Sequence, residues 1–122
     1  MTTNQKQFEF TKNIGILIVY ATVELGLNIT QRECQRFKDR QMQLVAFGRS
    51  KTMNSLHLDA LASDLLLFRN GQPVGSAKDE DYQKLGAKWR ELGGWWGGDW
   101  GWEDAAHFQW SMKMMHNVPG TN

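Results

Sequence analysis

One apolar stretch with a carboxylate in its middle, Ala62–Phe68, constrains the fold of this chain more than any other feature. The stretch is mostly leucine and is followed at once by Arg69-Asn70-Gly71, a turn sequence, which is the pattern of a buried β-strand. Alternate residues of a strand share a face, so Asp64 lies on the face of Ala62 and Leu66. Because a buried carboxylate without a positive partner is costly, we expect a cation beside Asp64, and a metal ion is one natural partner.

The first half of the chain has the spacing of two helices with a short strand between them. Apolar residues recur at helical intervals from about Phe8 to Leu25, and Gly26 is well placed to end that helix. A short strand is expected within Leu27–Cys34. A second helix is expected over Lys38–Phe47, with Gly48 as its stop signal.

The second half contains a third amphipathic pattern and a segment rich in glycine and tryptophan. A helix that begins near Asp79–Asp81 is predicted by apolar residues at steps of three, four and three: Tyr82, Leu85, Trp89 and Leu92. The segment Gly93–Gly101 has five glycines among nine residues and is expected to be too flexible for regular structure. It leads to a short strand at His107–Trp110.

Together these elements predict one α+β domain over residues 1–122, with helices first and a small antiparallel sheet in the second half. The balance of 14 basic and 13 acidic residues argues against a nucleic-acid binder. No apolar run approaches the roughly 20 residues of a membrane-spanning helix, so we expect no membrane insertion. Cys34 has no second cysteine to pair with, so folding does not depend on an oxidising compartment.

Two short segments carry the groups that could bind a metal. His57 lies seven residues before Asp64, and His107 lies three residues after Asp104. Two histidines, one aspartate and a water would complete a tetrahedral zinc site with an open catalytic position. By spacing alone, each histidine is more often a surface or hydrogen-bonded residue than a ligand.

The first segment resembles the Ser-x-His-x-x-Gly-x-Ala-x-Asp signature of the zinc D-Ala-D-Ala carboxypeptidase and L-alanyl-D-glutamate endopeptidase family. The residues that match in place are Ser55, His57, Ala62 and Asp64. The second segment is similar to that family's Asp/Glu-x-x-His motif, with Asp104 and His107 in the two positions. Ala60 replaces the family glycine, and Ser63 stands where a branched apolar residue is usual. The similarity covers roughly Gly26–Trp110 and is closest in pattern to the small single-domain endolysins of bacteriophages.

The resemblance implies a zinc peptidase with the hedgehog/DD-peptidase type of α+β fold. It implies that the metal ligands are His57, Asp64 and His107. Asp104 would be the catalytic acid/base, and Glu103 beside it is a minor alternative that strand alternation points elsewhere. Arg36 would contact the substrate and stabilise the oxyanion that develops on the scissile carbonyl, and Ser55 would bind the substrate or orient His57.

The function implied by the resemblance is hydrolysis of peptidoglycan stem peptides, between L-Ala and D-Glu, by a phage or prophage endolysin. A D-Ala-D-Ala carboxypeptidase is the alternative enzyme, and a catalytically silent cell-wall-binding or phage structural module is the alternative of another class. Peptidoglycan is the expected partner, and we expect a monomer. No signal-peptide cleavage site is evident, so we expect the protein in the host bacterial cytoplasm and, after release, at the cell wall or in the periplasm.

The crowded tryptophans allow two interpretations. Four of the six in the chain lie within a few residues of one another: Trp95, Trp96, Trp100 and Trp102. Aromatic faces beside glycines would suit the wall of a substrate groove, whereas large apolar rings beside a loop would also suit core packing. For any single tryptophan, core packing is slightly favoured.

Overall fold

The structure is a computed structural model that describes residues 2–32, 46, 61–101 and 103–110. Its elements, in chain order, are helix α1 (Thr3–Val19) with a π-helical turn (Tyr20–Glu24), strands β1 (Asn28–Arg32), β2 (Ala62–Arg69) and β3 (Gln72–Pro73), helix α2 (Glu80–Glu91), strand β4 (Trp95–Trp96), a 3-10 turn (Gly97–Asp99) and strand β5 (His107–Gln109). Apart from Ala46, the helix predicted over Lys38–Phe47 lies outside the described residues. None of the described helices is both long enough and apolar enough to cross a bilayer.

Helix α1 begins ahead of the start predicted near Phe8 because its first turn is capped. The Thr2 hydroxyl accepts a hydrogen bond from the Gln5 N–H at 3.1 Å, and the Gln5 side chain accepts one from the Thr2 N–H at 2.8 Å. This reciprocal capping satisfies backbone donors that the apolar pattern does not report. Helix α1 continues into the π-helical turn, which ends at Glu24, and Gly26 with a φ of 66° lies just beyond that turn, near the predicted end.

The five strands form one antiparallel sheet in the order β1-β2-β5-β4, and β3 also pairs with β2. Strand β1 pairs with β2 from Asn28 opposite Phe68 to Arg32 opposite Asp64. Strand β5 pairs only with the start of β2, where His107 lies opposite Asp64. The predicted α+β class is confirmed, although the sheet takes β1 from the first half of the chain rather than forming wholly in the second.

The two faces of the sheet differ in what they contact. Leu65, Leu67 and Phe108 are buried in the core cluster with residues of α1 and α2. Trp89 of α2 is at the centre of this core, with edge-to-face ring contacts to Phe10 at 6.0 Å and to Phe108 at 6.1 Å. The opposite face carries the intervening residues of β2 and β5, and these include Asp64 and His107.

Tyr82 of α2 bridges a gap in the sheet. Strand β1 pairs with one edge of β2, whereas β5 and β3 pair with the two ends of the other edge and leave a gap between them around Leu65–Leu67. The Tyr82 hydroxyl donates to the Leu65 carbonyl at 3.1 Å and accepts from the Leu67 N–H at 2.9 Å. It thus satisfies two backbone groups of β2 immediately after Asp64 and ties α2 to that strand.

The glycine-rich segment is ordered, so the expectation that it is too flexible for regular structure is wrong. It forms β4 and the 3-10 turn. Gly98 lies against the ring of Trp96, as does Gly86 of α2, and Gly94 lies against the ring of Trp89, so a Cβ atom at any of these positions would overlap an indole. These glycines serve close packing of aromatic rings rather than flexibility. Trp89 and Trp96 are 0% and 1% exposed, which confirms the core interpretation for both.

Candidate metal centre

The pairing of β2 with β5 brings Asp64 and His107 face to face. They are direct partners in the antiparallel register, and Asp64 Oδ1 lies 3.7 Å from His107 Nδ1. This separation exceeds that of an ordinary charged hydrogen bond. A tetrahedral zinc ion with bonds of about 2.0–2.1 Å sets neighbouring ligand atoms about 3.3 Å apart. The observed separation is about 0.4 Å wider than this, so the carboxylate oxygen and the imidazole nitrogen are close to, but not at, the spacing of two adjacent zinc ligands.

The other ring nitrogen of His107 is already engaged. His107 Nε2 lies 2.9 Å from Gln109 Oε1, and both side chains are buried. An amide oxygen can only accept, so Nε2 carries the hydrogen in this contact. In the neutral ring the lone pair is then on Nδ1, which is the nitrogen that faces Asp64.

The surroundings of His107 favour a positive charge. Burial by itself lowers the pKa of the imidazole, but interactions with the carboxylate of Asp64 and the charge of Asp104, together with the Gln109 contact, outweigh it. The resulting pKa of His107 is above its ordinary value. Two carboxylates therefore stabilise the protonated form of His107.

Asp104 reaches the site through a tight turn before β5. Its carbonyl accepts from the His107 N–H at 3.2 Å, and its own N–H donates to the Gly97 carbonyl at 3.0 Å. A Cβ on Gly97 would overlap the Asp104 carbonyl and would lie 3.0 Å from the Cβ of His107, so only glycine leaves room for this turn. Asp104 is half-buried whereas Glu103 is exposed, which favours Asp104 over its neighbour for a role inside the site.

The described part of the chain holds only part of the predicted site. Within residues 2–32, 61–101 and 103–110 no group of three or more histidine, cysteine, aspartate or glutamate side chains could hold a metal. Asp64 and His107 supply two potential ligands in the same place. The third predicted ligand, His57, lies outside the described residues, as do Arg36 and Ser55.

Comparison with known proteins identifies the family. A sequence profile of the M15 peptidases, described as D-alanyl-D-alanine carboxypeptidase, matches residues 48–110. The chain belongs to the M15 peptidase family. The matched range contains both segments with the predicted metal groups and ends at Trp110, one residue beyond β5.

Two individual proteins are similar to this M15 peptidase. It is 36% identical to an L-alanyl-D-glutamate peptidase of Listeria phage A118 over 91 residues, which cover 72% of this chain and 32% of that protein. The chain thus spans about a third of the length of the curated relative it matches. The crystal structure of the Serratia marcescens L-Ala D-Glu endopeptidase ChiX matches with a TM-score of 0.67 at 25% identity, over 85% of this chain and 79% of the other. The fold and the family predicted from the motifs are confirmed.

Sequence reasoning assigned no individual site role to three residues that lie around His107 in this M15 peptidase: Gly97, Trp100 and Gln109. Trp100 is 6% exposed, and its ring lies 4.9 Å from that of His107, centroid to centroid. Among the described residues, the Trp100 indole nitrogen is the buried side-chain atom without a hydrogen-bond partner. Nothing in the sequence separates Trp100 from its neighbours. Gln109, in contrast, follows His107 by two residues on a predicted strand, and that spacing places both on one face.

Proposed function

We propose that this M15 peptidase is a zinc-dependent hydrolase of peptidoglycan stem peptides that cuts between L-Ala and D-Glu. The proposed ligands are His57, Asp64 and His107. The observation that carries the proposal is the placement of Asp64 directly opposite His107, with the two facing atoms 3.7 Å apart. Membership of a peptidase family supports it, as do the names of the similar phage and Serratia proteins.

The proposed chemistry divides between the metal and the chain. Bound zinc would supply Lewis-acid polarisation of the scissile carbonyl and lower the pKa of water. Asp104 accepts the proton of the attacking water and returns it to the leaving amine nitrogen. Arg36 donates hydrogen bonds to the developing oxyanion, and Ser55 binds the substrate or orients His57. Because water attacks the carbonyl directly, the chain needs no covalent nucleophile.

Digestion of purified peptidoglycan tests the scissile bond. If the proposal holds, mass spectrometry finds L-Ala left on the muramic acid and a new free amine on D-Glu. Release of free D-Ala from pentapeptide stems would instead identify a D-Ala-D-Ala carboxypeptidase, the activity in the description of the matching family. Absence of both products with zinc bound would identify a silent cell-wall-binding module.

The proposed role of Arg36 is separable from substrate binding. Arg36→Lys retains the positive charge but loses the planar, two-pronged donor geometry of the guanidinium. We expect a lower kcat with little change in KM, because the interaction forms mainly in the transition state. Steady-state kinetics on a defined muropeptide measure both constants, and an unchanged kcat would remove Arg36 from the mechanism.

We further infer that the protein is a monomeric phage or prophage endolysin that reaches the wall from the host cytoplasm after release. The named Listeria phage relative supports a phage origin. Purified protein added to bacterial cells with exposed peptidoglycan should lyse them. Light scattering of the purified protein should give the mass of one chain. Lysis that requires a second protein in the mixture would contradict an autonomous endolysin.

A further inference from the structure

The side chain of Gln109 contacts His107, which is a proposed metal ligand. We propose that Gln109 is a positioning residue for His107. Its amide oxygen fixes the tautomer of His107 with hydrogen on Nε2, so that the Nδ1 lone pair faces Asp64 and the metal position. The consequence for zinc affinity rests on the proposed function. The assignment of the His107 tautomer does not depend on the proposed function. Either proposal can therefore fail while the other stands.

The contact between Gln109 and His107 is short, buried and on the same face of the sheet as Asp64. Gln109 Oε1 lies 2.9 Å from His107 Nε2, and Gln109 and His107 are 1% and 8% exposed. The two residues are separated by one position on β5, so both side chains leave the strand on the face that carries Asp64. Little solvent reaches the ring to offer Nε2 an alternative acceptor.

The backbone of Gln109 is anchored on several sides. It pairs with Ala62 of β2 and with Trp95 of β4, so it lies inside the sheet rather than at an edge. Its carbonyl oxygen also accepts a hydrogen bond from the Trp89 indole N–H at 2.9 Å. An acceptor on so constrained a backbone can hold the imidazole plane as well as its tautomer.

A neutral amide suits this position because a carboxylate already faces the other side of the ring. Asp64 Oδ1 lies 3.7 Å from His107 Nδ1. An amide oxygen orients Nε2–H without adding another negative charge beside the ring. Loss of the Gln109 acceptor would remove its stabilisation of Nε2–H and favour hydrogen on Nδ1, which faces the Asp64 carboxylate and would then be blocked as a ligand.

Nitrogen-15 NMR of metal-free wild-type protein tests the tautomer directly. At alkaline pH, where the ring is neutral, we expect the His107 spectrum to show hydrogen on Nε2. In Gln109→Leu, which keeps bulk but removes the acceptor, we expect a shift toward hydrogen on Nδ1. Gln109→Glu keeps an acceptor and should restore the wild-type pattern. A wild-type ring with hydrogen on Nδ1, or in an even mixture, would overturn the proposal even if the leucine variant fails to fold.

Zinc affinity provides the second readout. Loss of a hydrogen bond to a metal-ligating histidine typically weakens metal binding about 10–100-fold, and we expect that range for Gln109→Leu by competition with a chromogenic chelator. Gln109→Glu should bind zinc far more tightly than the leucine variant. Ser63→Ala is the matched control, because Ser63 is 0% exposed and adjacent to Asp64, and its hydroxyl contacts Gln31 instead of His107.

The outcomes separate the two proposals. Equal zinc affinity in Gln109→Leu and wild type would overturn the positioning role. The same loss of affinity in Ser63→Ala would also overturn it, because the effect would then be one of general packing. If no variant and no wild-type protein binds zinc but the tautomer follows Gln109 as expected, the metal proposal fails and the positioning of His107 by Gln109 stands.

Discussion

The two faces of the β2–β5 pair are formed by alternating residues of the same strands, but different interactions stabilise them. On one face, Leu65 and Phe108 are 0% exposed and pack in the core with Trp89. On the other, His107 makes polar contacts with both Asp64 and Gln109. Burial of apolar area stabilises the first face, whereas the second places a carboxylate and an amide oxygen on either side of a buried imidazole.

This difference shows how a small domain can hold a cluster of buried polar side chains in place. Of the proposed ligands, the two that the structure describes are each next to a fully buried residue: Asp64 precedes Leu65, and His107 precedes Phe108. The core thus fixes the backbone from which the polar groups project. Changes on the site face should alter metal binding and catalysis more than folding, and changes on the core face should do the reverse.

The largest expected effect is that of His107→Ala compared with Phe108→Ala. His107→Ala removes a proposed ligand, so we expect loss of zinc and of peptidoglycan hydrolysis. Phe108→Ala should lower the free energy of unfolding by about 3–5 kcal/mol, because it leaves a cavity beside Trp89 and Trp96. Elemental analysis and denaturant unfolding of the metal-free proteins measure the two effects without stabilisation by zinc. Normal zinc content in His107→Ala would mean that the ligand assignment is wrong.

The next effect is confined to catalysis. Asp104→Asn is nearly isosteric but cannot take up and return a proton, so turnover should fall about 100-fold to 10,000-fold while zinc content and stability persist. The exposed neighbour supplies the control, Glu103→Gln, which should remain active. Turnover on purified peptidoglycan is measured beside zinc content. If the control loses activity instead, the acid/base role belongs to Glu103, and if Asp104→Asn loses zinc, Asp104 is a ligand.

A smaller effect is expected where α2 supports the strand that carries Asp64. Tyr82→Phe removes the hydroxyl that hydrogen-bonds to the Leu65 carbonyl and the Leu67 N–H. The free energy of unfolding should therefore fall by about 1–3 kcal/mol. Amide hydrogen exchange should increase first at Leu67. Because this strand positions Asp64, zinc affinity is measured as well. Unchanged exchange at Leu67 would show that the hydroxyl does not protect this backbone.

The smallest effect is expected at the end of β2 away from Asp64. Asp79 caps α2 by accepting from the Asp81 and Tyr82 N–H groups, and its carboxylate pairs with Arg69 at 2.8 Å. The hydrogen bond from Arg69 is the main cause that holds the pKa of Asp79 below its usual range, aided by the backbone donors. Asp79→Ala should cost about 0.5–2 kcal/mol at neutral pH, whereas Asp79→Asn keeps the cap and should cost less.

The pH dependence of these variants has a defined sign. The pKa of the Asp79 carboxylate is lower in the folded state than in the unfolded chain, where an aspartate has a pKa of about 3.9. Above the unfolded pKa the ionised carboxylate therefore stabilises the folded protein. This stabilisation is lost as pH falls through the folded pKa. The difference in stability between wild type and Asp79→Asn should therefore be constant near neutrality and shrink in acid. Catalysis should be unaffected by either change. A difference that grows in acid would contradict the assigned role of the Arg69 pair.

Much of the fold could be predicted because it depends on local patterns. The apolar run at Ala62–Phe68 did form a strand with Asp64 on its polar face, and the three-and-four spacing from Tyr82 to Leu92 did form a helix. The glycine-rich segment was predicted wrongly for a physical reason. A glycine required for close packing against Trp96 or Trp89 looks, in sequence, the same as one that provides flexibility.

By itself, the sequence determined the longer described helices and strand β2, the family and the identity of the candidate metal groups, because periodicity and short motifs are properties of neighbouring residues. Tertiary structure decided which of those groups meet. Asp64 and His107 are far apart in the chain, and their 3.7 Å approach follows from the register of β2 with β5. The same register brings Gln109 into the sheet, where its amide can hold the imidazole ring. Strands β2 and β5 are separated in the chain by β3, α2 and β4, so no turn between them fixes their register, and it follows from which faces the folded core buries.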